Sequence, residues 1–167
     1  MNLVNKLYFE MLNYFKADTK RCMHLSLVYS FAHMICEESH LEKSKQQIVE
    51  SVALIHDIGI KMAEAKYNTS NGKVQEEEGP SEAKNILVKL GYSDDAINRI
   101  CYIIGHHHTY SAIDDIDFQI LVEADLMANF YEDKISKEDI LSCYDKIFKT
   151  EAGIKICEDI FDISHSL

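Results

Sequence analysis

Apolar residues recur three and four positions apart along nearly the whole chain, and strict alternation of apolar and polar residues is rare. That period predicts helices throughout. The first spans about 3–16, and Asp18 or Thr19 caps a second that runs to about 39. A third covers about 45–63. The stretch KYNTSNGKVQEEEG is polar and contains glycine, so it reads as a loop. Gly79–Pro80 then opens a helix with proline in its first turn, and Gly91 ends it as a C′ residue. Ser93 caps the next helix, with Asp94 and Asp95 favouring its positive end, and that helix continues to about His107. Another covers about 117–134. Ser136 caps a further one, with Asp139 completing a loose capping box, and Gly153 breaks the chain before a short last helix. No repeat, low-complexity tract or domain boundary interrupts the pattern. The expectation is an all-α, compact single-domain bundle of about seven or eight helices over residues 1–167.

Helical geometry places unusual residue types on the apolar faces. In the third helix Val49, Ala53, His56, Asp57 and Ile60 lie along one side, so the His56–Asp57 pair sits at the edge of a buried stripe. In the second helix His24 shares a face with Leu27, Val28, Phe31 and Ile35. His107 follows Ile100, Ile103 and Ile104, and Asp125 interrupts the stripe Phe118, Leu121, Val122, Ala128. A lone histidine on an apolar face is more often a core residue than a ligand. An inward aspartate is rarer, because it ionises and needs a partner. Three histidines and two aspartates from four helices are most simply reconciled by one shared cation. Mixed imidazole and carboxylate ligands suit Mn, Fe, Co, Ni or Zn better than Ca or Mg.

Composition narrows the classes. A 47% apolar chain of 167 residues is globular, with enough length to bury roughly 70% of its unfolded surface. One proline, six glycines and no tryptophan argue against a turn-rich β fold. No apolar run approaches the ~18 residues of a membrane span, and the N-terminus lacks the pattern of a signal peptide. The expected address is the cytoplasm, where five cysteines without C-x-x-C pairing are reduced core residues. A net charge of −11 without a basic stripe argues against a long nucleic-acid partner. It remains compatible with a small phosphorylated substrate if metal ions supply local positive charge. Self-association is left open.

The order His24, then LIHDIG around His56–Asp57, then LVEADLMANFYED around Asp125, with RCMHL upstream, resembles the HD-domain superfamily of metal-dependent phosphohydrolases. The resemblance runs from about Arg21 to Asp133, which sets an HD core at about 18–134 and additional C-terminal helices at about 136–163. It implies that His24, His56, Asp57 and Asp125 hold one divalent metal and that Asp57 bridges to a second where one binds. Two-metal members add a histidine before a proline and a later His–His pair. Here His107 and His108 look like that pair, while Glu78 ahead of Gly79–Pro80 stands where the earlier histidine would be. Many members carry an acid or a lysine three residues after the aspartate of the pair. This chain has Ile60 there, and Lys61 one step later is the candidate for that role.

The chemistry implied is hydrolysis of a phosphoester or phosphoanhydride, with a small phosphorylated metabolite or nucleotide as substrate and metal-activated water as nucleophile. Arg21, three residues before His24, is the candidate for gripping the phosphate. His108 is the candidate for protonating the leaving group if it is not a ligand. Glu123, two residues before Asp125, points to another side of its helix and is expected to be exposed. Tyr102 and Tyr110 either stack on a base or cover the core. His33, His40 and His165 belong to no constellation. Two other classes stay open: a di-iron oxygenase on a related helical scaffold, and a non-catalytic metal- or ligand-binding sensor.

Overall fold

The structure is a computed structural model that describes residues 2–163; His165 lies outside the described residues. Its elements are all helical. In chain order they are α1 (Leu3–Tyr14), α2 (Thr19–Glu38), α3 (Lys43–Ile55), α4 (Ile60–Tyr67), α5 (Gly72–Leu90), α6 (Asp94–Ile104), α7 (Ile116–Glu132), α8 (Lys137–Ile147) and α9 (Glu151–Phe161), with one 3-10 turn at Tyr110–Ala112. The protein is all-α. No helix among the described residues is long and apolar enough to cross a membrane.

Capping chemistry sets most of the boundaries. Asp18 accepts the Arg21 N–H at 3.1 Å and starts α2. Ser93 accepts the Ala96 N–H and starts α6, and Ser136 accepts the Asp139 N–H and starts α8. Gly91 ends α5 with φ +84°, a conformation that favours glycine. Helix α7 lies at the centre and is buried on nearly every side. It packs against α2 and α3, which pack against each other, and α9 closes over α2 and α7. Helices α1 and α6 pack on α3, α5 packs on α6 and α1, and α4 lies on α5.

Three boundaries differ from the sequence expectation. The third helix is two helices, α3 and α4. At residues 56–59 the backbone tightens to i→i+3 bonding, Ile58 N–H to Ile55 O and Ile60 N–H to Asp57 O, both at 3.0 Å. The dihedrals at His56 and Gly59 stay helical, so the apolar period runs on while the axis changes. The polar stretch is mostly helix. Asn68 in the left-handed region ends α4, Asn71 caps Lys73, and α5 then runs from Gly72 through Pro80. Proline there removes one intrahelical hydrogen bond, and the helix continues because packing on α6 and α4 holds it. Gly153 does not break the chain; it lies in the first turn of α9, which Thr150 caps.

Gly59 is needed for a close approach. A Cβ on it would collide with the Gln75 carbonyl oxygen and lie 2.7 Å from the Gly79 nitrogen, both of them backbone atoms of α5. Gly59→Ala is therefore expected to lower stability by about 1–3 kcal/mol in denaturant unfolding, because α5 must move as a unit to relieve the overlap. An unchanged unfolding midpoint would show that the turn and α5 are not packed this way.

Candidate metal centre

The turn between α3 and α4 brings His56 and Asp57 to the face where α2 and α7 cross. His24 from α2 places its Nε2 3.2 Å from Asp125 Oδ1 of α7 and 3.8 Å from Asp57 Oδ2. His56 Nε2 lies 3.4 Å from Asp125 Oδ1 and 3.8 Å from Asp57 Oδ1. His107, just beyond α6, places its Nε2 3.4 Å from Asp57 Oδ1. Two groups of ligand atoms form, each within 4.8 Å: His24, His56 and Asp57, and Asp57, His107 and His108. Asp57 is common to both.

The ring tautomers decide what the cluster can hold. His56 Nδ1 meets the Ala53 carbonyl at 3.2 Å, and His107 Nδ1 meets the Ile104 carbonyl at 2.8 Å. A carbonyl only accepts, so each Nδ1 carries the hydrogen. A neutral ring then aims the Nε2 lone pair at carboxylate oxygens. Both Nε2 atoms are buried and have no hydrogen-bond partner. Lone pairs facing lone pairs inside a protein need positive charge between them. Carbonyl-bonded imidazoles with free Nε2 atoms are how proteins present histidine to a metal, and His24 fits too, with its Nδ1 3.3 Å from Glu132 Oε2. The residues present therefore fit a divalent transition ion.

The electrostatics favour positive charge among these groups. Burial works against the imidazolium of His24, but Asp125, with Asp57 and Glu132, outweighs it and pushes the pKa up to about 9. Burial likewise opposes charge on His56, and Asp57 and Asp125 overcome it to raise its pKa. Asp57 and Asp125 are held well below the usual carboxylate range, by His56 and His107 for the first and by His24 and His56 for the second, against the opposing effect of burial. Burial lowers the pKa of His108, and the neighbouring His107 lowers it further.

Beside the cluster opens a cleft of about 460 Å³, lined in part by Lys20, Arg21, Ile60, Glu64, Asn129 and Glu132. Sequence reasoning missed six of its residues, Lys20, Glu64, Ser70, Asn129, Glu132 and Asp133, and three of them share the ligands' faces. Lys20 lies one turn before His24. Asn129, whose amide donates to Asp125 Oδ1 at 3.0 Å, lies one turn after that aspartate, and Glu132 lies two turns after it. The signal was available, since these steps of four and seven share the face of the ligands.

Four expected residues are placed otherwise. Lys61 does not line the cleft; its Nζ donates to the Tyr14 carbonyl at 2.8 Å and lies over the Tyr14 ring. The one-residue shift from Ile60 turns it onto α1. Glu78 is in neither ligand group and is held by Lys66 at 2.6 Å and by the Tyr67 hydroxyl. Because Pro80 lies within α5, Glu78 is a mid-helix residue beside the end of α4. Arg21 does line the cleft, but its guanidinium is paired to Asp18 and Glu64. Glu123 is fully buried. It accepts the Lys149 N–H at 2.7 Å, the Thr150 N–H at 3.0 Å, the Gln119 amide and the Thr150 hydroxyl. The face of α7 it occupies is covered by the α8–α9 connection. Elsewhere, His106 bonds the Tyr102 carbonyl and stacks on its ring, and His33 bonds Glu50.

Comparison with solved structures identifies the architecture. The chain is similar to a crystal structure described as a predicted HD superfamily hydrolase from an uncultured Thermotogales bacterium, at 21% identity over 95% of this chain and 84% of that one, with a TM-score of 0.68. It is also similar to YpgQ of Bacillus subtilis, at 18% identity over 96% of this chain and 89% of that one, with a TM-score of 0.66. The chain has an HD-domain fold. No family model and no curated protein matches the sequence. Within the HD-domain fold of this chain, the His–Asp pair occupies the α3–α4 turn and faces α2 and α7.

Proposed function

We propose that the protein is a metal-dependent phosphohydrolase acting on a small phosphorylated metabolite or nucleotide. The observation that carries this reading is the pair of buried, unpartnered Nε2 atoms on His56 and His107, aimed at Asp57 and Asp125 beside an open cleft. His24, His56, Asp57 and Asp125 would hold one divalent ion, and Asp57, His107 and His108 offer a second place. Such an ion lowers the pKa of bound water toward neutrality and draws charge from phosphoryl oxygens. Glu132 orients His24, and Asn129 orients Asp125. Lys20 brings positive charge to the same cleft, where a phosphate dianion needs it, while Arg21 is already paired to Asp18 and Glu64. The lowered pKa of His108 leaves its ring neutral near pH 7, which suits a ligand better than a proton donor.

Elemental analysis of protein purified without chelator tests the reading, followed by a phosphatase screen with Mn, Co, Ni and Fe. The expected result is at least about one transition ion per chain and turnover of phosphate esters that chelator removes and metal restores. Iron content with O₂ uptake and no phosphate release would favour the oxygenase chemistry instead.

A further inference from the structure

The lining of the cleft is selective in what it offers. Lys20 is its one cation without an ion pair or hydrogen bond among the described residues, whereas Arg21 is engaged by Asp18 and Glu64. Lys20 precedes His24 by four residues on α2, so its ammonium rises from the same face as the metal ligand. The end of α7 contributes Asn129, Glu132 and Asp133, and the Asp133 carboxylate makes no ion pair among the described residues. Among the described residues Ile60 is the sole apolar side chain of the lining, and its one aromatic ring is the imidazole of His24, one of the proposed metal ligands. Tyr102, one turn before the His triplet, is used elsewhere: its ring stacks on His106 and its hydroxyl bonds Ala112; Tyr110, two residues after the triplet, does not belong to the lining.

Resting on the hydrolase reading, we infer that the cleft takes the monophosphate ester of a small polyhydroxyl compound, a sugar or polyol phosphate, in preference to a nucleotide. Lys20 holds the anionic end, and the α7 carboxylates accept from the hydroxyls. A nucleobase is recognised through stacking on a flat or apolar surface, and this cleft offers only Ile60 and the ring of His24, which the metal would hold. Hydroxyl groups suit carboxylate acceptors, which make short charge-assisted hydrogen bonds with them. Additional phosphates would be repelled by Glu64, Glu132 and Asp133, because one free lysine cannot balance them.

Ribose 5-phosphate and adenosine 5′-monophosphate form a matched pair that differs by the base. With p-nitrophenyl phosphate as the reference ester, metal-loaded protein is expected to show kcat/KM roughly tenfold higher for ribose 5-phosphate than for the nucleotide. Lys20→Ala is expected to raise KM for ribose 5-phosphate by roughly tenfold, with a smaller change in kcat. Asp133→Asn should reduce kcat/KM for ribose 5-phosphate more than for p-nitrophenyl phosphate. Thermal stabilisation by each ligand provides a readout that does not depend on turnover. Stabilisation by ribose 5-phosphate and not by the nucleotide, without hydrolysis of any ester, keeps this ligand class and removes the hydrolase reading. Hydrolysis with the nucleotide equal or preferred overturns the ligand class and keeps the hydrolase. Neither binding nor turnover overturns both.

Discussion

Asp57→Ala is expected to strip the protein of bound metal and to lower kcat/KM for phosphate esters by roughly a thousandfold or more. Asp57 is shared by both ligand groups, so one substitution disables both. It would leave His107 and His108 without a carboxylate partner in their group, and His24 and His56 with Asp125 alone. The fold does not depend on this side chain. The turn is held by backbone bonds, including Ile60 N–H to Asp57 O, and the apolar contacts of α2, α3 and α7 lie behind it. Circular dichroism should therefore show helix content close to that of the parent. Elemental analysis and initial rates complete the measurement. Full activity in a folded, metal-free variant would end the hydrolase proposal.

The second large effect is on stability. Glu123→Ala is expected to destabilise the protein by about 2–4 kcal/mol, because it removes a buried carboxylate that receives four hydrogen bonds. The Lys149 and Thr150 N–H groups would lose their acceptor at the entry to α9. In a chain of 167 residues that energy corresponds to a fall in Tm of roughly 5–15 °C. Glu123→Gln should cost less, since one oxygen can still accept from both backbone groups. Its amide must then face the Thr150 hydroxyl, which already accepts from Gly153. A Tm in the alanine variant equal to that of the parent would show that α9 is anchored elsewhere.

These two acids show where sequence reading succeeds and where it stops. Both lie near apolar stripes. Asp57 was legible because it stands next to His56, on a face that His24, His107 and Asp125 repeat in other helices. Glu123 was not, because one helix wheel divides residues into inside and outside. Helix α7 has no outside: α2, α3 and α9 pack around it, so a residue turned away from one neighbour meets another. The same limit applies to the cations. Arg21 and Lys61 have suitable spacing from His24 and Asp57, but spacing does not reveal that Asp18 and Glu64 neutralise the first or that the Tyr14 carbonyl takes the second.

The stretch from Tyr67 to Gly79 errs in the other direction. Polar residues and two glycines read as a loop, and Pro80 as a beginning. Tertiary packing overrides both, since α5 is held by α4, α6 and α1 along its length.

The amino-acid sequence alone determined the helical class, the caps that begin α2, α6 and α8, and the set of imidazoles and acids on apolar faces. These follow from interactions within a turn or two of chain, where spacing is geometry. The tertiary structure decided the rest: the break between α3 and α4 that aims His56 and Asp57, the burial of Glu123, and the choice of Lys20 as the unpaired cation. Those depend on which residues of distant helices arrive at the same place, and a charged group is free, paired or buried only with respect to them.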